Sequence, residues 1–136
     1  MSTGRDLIRP FFWLLCAVAG TAVGAALAHR WLDVVEVRGR SMTPTLLPGD
    51  RLFVARMSRA ARAGDLVLAA DPRGASRELV KRVVATQDGS LTLGGDNPAW
   101  STDSRSFGTV PSDAVSWRAV VRYWPASRIG PIAGPR

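Results

Sequence analysis

Beyond residue 29 the apolar positions fall into short runs: Val34 to Val37, Arg51 to Ala55, Asp65 to Ala70, Glu78 to Ala85, Ser90 to Leu93 and Ala114 to Trp124. Each has strand length and is rich in β-branched or aromatic residues. Between them stand turn compositions, Pro48-Gly49-Asp50, Gly64-Asp65, Asp71-Pro72-Arg73-Gly74, Asp88-Gly89, Gly94 to Pro98 and Pro111-Ser112-Asp113, which break or reverse regular structure. The pattern predicts a mostly β domain, a single small β-barrel or coiled β-sheet. Met57 to Arg62, rich in Ala and Arg, invites one helical turn too short to stand alone. The tail from Pro125, rich in Pro and Gly, is expected to end outside the core.

Ahead of these runs lies a different pattern. Phe11 to Ala28 is 18 residues without a charge, preceded by Arg5 and Arg9 and followed by His29 and Arg30. That length reaches the lower end of what a bilayer-spanning helix needs. Ala26-Leu27-Ala28 has the small-x-small form of a processing site, but the cores of cleaved signals usually hold about 7–15 apolar residues, so an uncleaved anchor is the better reading. The expected organisation is a cytoplasmic N-terminus over 1–10, a transmembrane anchor over 11–28 and an extracytoplasmic domain over 29–136. At 136 residues there is room for one domain.

Charge fits a membrane partner. The 18 Lys and Arg against 11 Asp and Glu leave a formal +7, a balance that suits an anionic lipid surface or nucleic acid. The arginines are scattered and lack regular aromatic interleaving, which argues against nucleic acid and leaves the lipid bilayer.

Two scarcities narrow the chemistry. The one cysteine, Cys16, lies in the apolar segment, and the one histidine, His29, at its edge, so a cysteine cross-link, a His/Cys metal site and a Ser-His-Asp triad are all disfavoured. No cofactor or metal is expected. Lys81 is the single lysine beside 17 arginines. Arginine keeps its proton in proteins, whereas a desolvated lysine can release it. Alternation along a strand gives Lys81 the face of Leu79, Val83 and Ala85, and puts Arg82 on the other with Val80 and Val84. A neutral amine on that apolar face could take a proton from a serine. Ser41, in Gly39-Arg40-Ser41-Met42-Thr43-Pro44, is the candidate, displayed where an apolar strand breaks. The plainer alternatives are a turn serine and an edge-strand lysine paired with Glu78.

These residues resemble the type I signal peptidases, membrane-bound serine proteases with a Ser/Lys dyad. Ser41-Met42-x-Pro44-Thr45-Leu46 with Gly49-Asp50 is similar to the family's nucleophile box, and Gly64-Asp65-Leu66-Val67 to its short second box. Val80 to Val84 is similar to its lysine box, and Gly95-Asp96-Asn97 with Ser101, Asp103, Ser104 and Arg105 to its last. The resemblance implies Ser41 as acylated nucleophile, Lys81 as general base and Ser101 as the group orienting the amine. Asp103 and Arg105 would fix the loop, and the Ser41 N–H would serve the oxyanion. It further implies a cleft with Val37, Gly39, Met42 and Leu79, where exported preproteins with small residues at the cleavage site add a strand beside Val34 to Arg40 or Glu78 to Lys81. The implied location is the plasma membrane, single-pass. One departure is size: only 13 residues separate Lys81 from Gly95, where typical bacterial members carry a long insertion. The chain is similar in this to peptidases devoted to one precursor, such as those that mature nickel superoxide dismutase. A membrane-anchored β module that only binds, and a peptidase that cleaves itself, are the other readings.

Overall fold

The computed structural model describes residues 8–71, 73–74 and 77–132. They form two compact units, one up to Trp31 and one from Leu32 onward.

The first unit is α1 (Ile8–His29), a continuous 22-residue helix whose side chains are exposed from Trp13 onward. Among the described residues no helix is long and apolar enough to cross a membrane, and the side chains of the expected transmembrane anchor over 11–28 fall partly outside them. The side chains of residues 8–12, and residues 1–7 of the expected cytoplasmic N-terminus over 1–10, lie outside the described residues.

The second unit is one antiparallel sheet of eight strands: β1 (Leu32–Glu36), β2 (Arg51–Arg56), β3 (Leu66–Ala70), β4 (Glu78–Gln87), β5 (Ser90–Gly94), β6 (Val110–Pro111), β7 (Trp117–Trp124) and β8 (Gly130–Pro131). Its order is β1-β2-β7-β3-β4-β5-β6, with β8 on β7. The mostly β expectation holds. Closure does not: β1 and β6 end the path without pairing to each other, and a barrel needs its end strands in register. The sheet stays open, with register shifts at Arg51/Leu52, Phe53/Val54 and Val83/Ala85, where bulges sharpen twist.

The side-chain pattern explains where the core sits. Strand β2 alternates, burying Leu52 and Val54 and exposing Arg51 and Phe53, as a one-faced strand should. Strand β3 buries four successive residues, Leu66 to Ala69, because both its faces are covered. Val67 and Ala69 join Val83, Leu91 and Leu93 in one cluster, while Leu66 joins Val37, Met42, Leu46 and Leu52 in the other. The bulge at Val83/Ala85 turns Val84 and Ala85 outward, so the apolar face expected for β4 ends at Val83. Arg82 does face away from Lys81, yet it is buried, bonded through Nε and Nη2 to Asp96 at 2.8 and 2.7 Å. No helical turn forms between Met57 and Arg62.

The tail is part of the fold, contrary to expectation. After Pro125 a 3-10 turn (Ala126–Arg128) leads into β8, and Ile132 packs on the second core cluster. Arg128 Nη1 donates to Asp50 Oδ1 at 3.0 Å, and Arg122 Nη1 lies 3.5 Å from Oδ2. Asp50 is 2 % exposed, so this pairing tethers the loop between β1 and β2 to the end of β7. Breaking a buried ion pair by deleting one partner strands the other charge. Asp50→Ala is expected to cost about 3 kcal/mol, read as a lowered denaturant midpoint with an unchanged slope.

Candidate active site

The loop from Val37 to Asp50 carries Ser41 and is pinched at its neck. Val37 N donates to Asp50 O at 2.8 Å, and Gly49 N to Val37 O at 2.7 Å. Gly49 has φ +90°, a conformation that favours glycine, so the loop can close there without a side-chain penalty. Inside, the chain is turned rather than extended: Thr43 N donates to Arg40 O and Leu46 N to Met42 O. Met42 and Leu46 drive into the core and leave Ser41 half-buried at the surface. The Ser41 N–H has no acceptor among the described residues.

Lys81 comes from the middle of β4. It pairs across with Val67 of β3, and directly opposed residues share a face, so the amine stands over the Val67 and Val83 side. It is 2 % exposed. Burial pushes its pKa below the ordinary lysine value; Asp103 works against this, while Arg73 and Arg105 add to it and Asp71 opposes. A free amine is thereby brought toward the working pH range.

The loop after β5 supplies the partner. Lys81 Nζ donates to Ser101 Oγ at 2.9 Å, and the Ser101 hydroxyl bonds in turn to Asp103. Asp103 is 1 % exposed and accepts from Arg105 Nε and Nη2, both at 2.9 Å, and from Gly95 N at 3.2 Å. It also caps the short helix α2 (Ser104–Phe107) by accepting from Arg105 N. The Arg105 guanidinium, with these further bonds, holds the Asp103 carboxyl far below the usual range against the opposing effect of burial. Asp103 is therefore an anion at neutral pH.

Ser41 and Ser101 meet at Gly95. A Cβ built on Gly95 would lie 2.5 Å from both Ser101 Cβ and Ser41 O, and nearer still to Ser101 Oγ. Two residues on, Asn97 N donates to Ser41 O at 2.9 Å and Asn97 Nδ2 to Thr43 Oγ1 at 2.8 Å. Asp96, which burial would push up, is held low by Arg82 and Thr45, so a third residue of this loop grips the serine loop.

Five of the residues singled out from the sequence, Ser41, Lys81, Ser101, Asp103 and Arg105, thus lie in one connected set. The expected cleft residues are divided: Val37 and Met42 are buried, Leu79 is half-buried, and Gly39 is exposed with nothing within 4 Å of its Cβ position. Sequence reasoning passed over Asp71 and Arg73 as turn composition and did not see what Gly95 and Asn97 do. Two sheet edges border the set. Strand β1 is paired on one side only, and the 78–81 portion of β4 has β3 as its one partner, because pairing with β5 begins at Arg82.

Known proteins resemble this chain over most of its length. Residues 8–88 match the family model described as "Signal peptidase, peptidase S26". The chain is 28% identical over 138 residues to mitochondrial inner membrane protease subunit 1 of Schizosaccharomyces pombe, covering 84% of this chain and 88% of that one. It is 32% identical over 123 residues to the subunit 1 of Xenopus tropicalis, covering 74% of each. To the human subunit 1 it is 30% identical over 120 residues, covering 71% and 72%. With most of its length matched in this way, the chain belongs to the signal peptidase family, peptidase S26.

Proposed function

We propose that this chain is a membrane-associated serine endopeptidase that removes leader peptides from exported preproteins through a Ser41/Lys81 dyad. The observation that carries the proposal is the buried Lys81 amine, bonded to Ser101, on the same glycine that Ser41 touches. In the reaction, neutral Lys81 Nζ takes the Ser41 hydroxyl proton as Oγ attacks the scissile carbonyl carbon. The Ser41 N–H donates to the oxygen as it becomes anionic. The tetrahedral intermediate collapses, the leaving amine takes the proton back from Lys81, and an ester on Ser41 remains. Lys81 then draws a proton from water as its oxygen attacks the ester carbon, and returns that proton to Ser41 Oγ as the acyl bond breaks and the carboxylic acid product leaves. Ser101, held by Asp103 and Arg105, keeps the amine aimed throughout.

An extended substrate can add a strand at the free 78–81 edge of β4 or at β1, where backbone bonds hold it without regard to sequence. Leu79 and Gly39 then line the cleft, and Val37 and Met42 form its floor, leaving room for small side chains. Helix α1 is the segment we assign to the bilayer, as an anchor from 11 to 28, with residues 1–10 cytoplasmic and the domain from 29 on the exported side of the plasma membrane. At about 1.5 Å per residue a 22-residue helix is close to the hydrocarbon thickness. Membership of S26, and relatives named as inner membrane proteases, support both the activity and the membrane setting.

The test is to incubate the detergent-solubilised chain with a panel of preproteins and map cut sites by mass spectrometry. Cleavage after a small residue at the end of an apolar leader is expected, and none with Ser41→Ala. Cuts that persist in Ser41→Ala would overturn the dyad. The spread of substrates cut also separates a general peptidase from one dedicated to a single precursor.

A further inference from the structure

Asp71, just past β3, is 3 % exposed, and its carboxylate takes three hydrogen bonds from a single residue: Arg73 N and Nε on Oδ1 and Nη2 on Oδ2, each at 3.0 Å. The guanidinium held this way extends Nη1 to Thr102 Oγ1, a long contact at 3.4 Å. Thr102 is the residue between Ser101 and Asp103. The β3–β4 turn does not need this bridge for its own closure, since Asp71 N already donates to Arg77 O and Arg77 N to Gly74 O. A second Asp–Arg pair thus reaches Lys81's surroundings from the opposite loop to Asp103–Arg105.

We propose that Arg73, fixed on buried Asp71 and bonded across to Thr102, is a positioning residue for the reaction: it braces the Ser101 loop and, in addition to Arg105, brings a second cation to the surroundings of Lys81. This rests on Lys81 as the base. The charged groups around the amine are Asp103 and Arg105 from the loop after β5, and Asp71 and Arg73 from the β3–β4 turn. Strand β3 offers only Val67 across the pair, and Arg82 on the far face is already matched to Asp96. Burial is the largest influence on Lys81, with Asp103 opposing it; Arg73 comes next, ahead of Arg105 and of its own partner Asp71. The net effect of the Asp71–Arg73 pair therefore favours the free amine. The Arg73 side chain is 57% exposed, so water screens it and the effect is moderate.

The single lysine makes a direct measurement possible, because the full chain labelled with 13Cε-lysine in detergent shows one titrating lysine signal. In Arg73→Gln the midpoint should rise, the neutral fraction at pH 7 should fall about threefold, and the acid limb of kcat/KM should move with it. Arg73→Lys keeps the cation and should leave the Lys81 midpoint near the wild-type position; its added, exposed lysine titrates separately near about 10.4. An unchanged midpoint in Arg73→Gln overturns the proposal, even if activity falls, since a bracing role alone moves kcat without moving the titration. Wild-type cleavage by Lys81→Met would instead remove the base itself, and the proposal with it, whatever Arg73 does.

Discussion

Lys81→Met is expected to abolish cleavage while making the folded domain more stable at neutral pH. A general base contributes about 10²–10⁴-fold, and the chain has no second lysine to take its place. The loss in kcat/KM should reach about 10³-fold or more. Stability moves the other way because the folded state holds Lys81 with a lowered pKa, first through burial. Between the folded value and the unfolded one near about 10.4, the unfolded chain binds one more proton, so stability rises with pH across that window. Below it the lysine costs the fold about 1.4 kcal/mol for each unit of lowering. Methionine has a similar length, carries no charge and suits the apolar side of Val67 and Val83, and Ser101 keeps its bond to Asp103. Denaturant melts should show the variant ahead at pH 7, with the gap closing toward pH 10. A variant less stable than wild type at every pH would mean that Lys81 is a charged structural partner.

Gly95→Ala should be nearly as damaging, for a steric reason. The added methyl would stand 2.5 Å from Ser101 Cβ and from Ser41 O, well inside van der Waals contact, and one of these is backbone that cannot rotate away. Either the serine loop or the Ser101 loop must shift. A displacement near 1 Å in a catalytic group costs about 10²-fold in rate, and overpacking costs about 1–3 kcal/mol in stability. Both should be visible as a fall in kcat/KM and in melting temperature. Gly39→Ala is the control for stability, since its Cβ position is open, and its melting temperature should match wild type. Full activity in Gly95→Ala would show that Ser41 and Ser101 need not approach each other.

Much of this was legible in the residues. The single lysine among arginines, on an alternating apolar run, pointed to a desolvated amine, and Lys81 is indeed buried. The strand runs were placed to within a few residues, because β-branched runs bounded by Gly, Pro and Asp carry their signal locally. The failures share one cause. The tail read as loose because Pro and Gly dominate it, yet Arg128 and Ile132 are held by Asp50 and the second core cluster, partners far off in sequence. Alternation put Arg82 on the face opposite Lys81 but said nothing about Asp96, which pairs with it there. Asp71 and Arg73 read as turn chemistry for the same reason.

By itself, then, the sequence determined the class of the domain, the order of its strands and the residue types able to do acyl transfer, since propensity, alternation and side-chain chemistry are properties of neighbours along the chain. Only the tertiary structure decided that the sheet stays open, that Ser41 and Ser101 close on Gly95, and that two Asp–Arg pairs surround one amine. Those depend on distances between segments tens of residues apart, and on how much water burial removes. Neither quantity exists until the loops after β1, β3 and β5 are folded against one another.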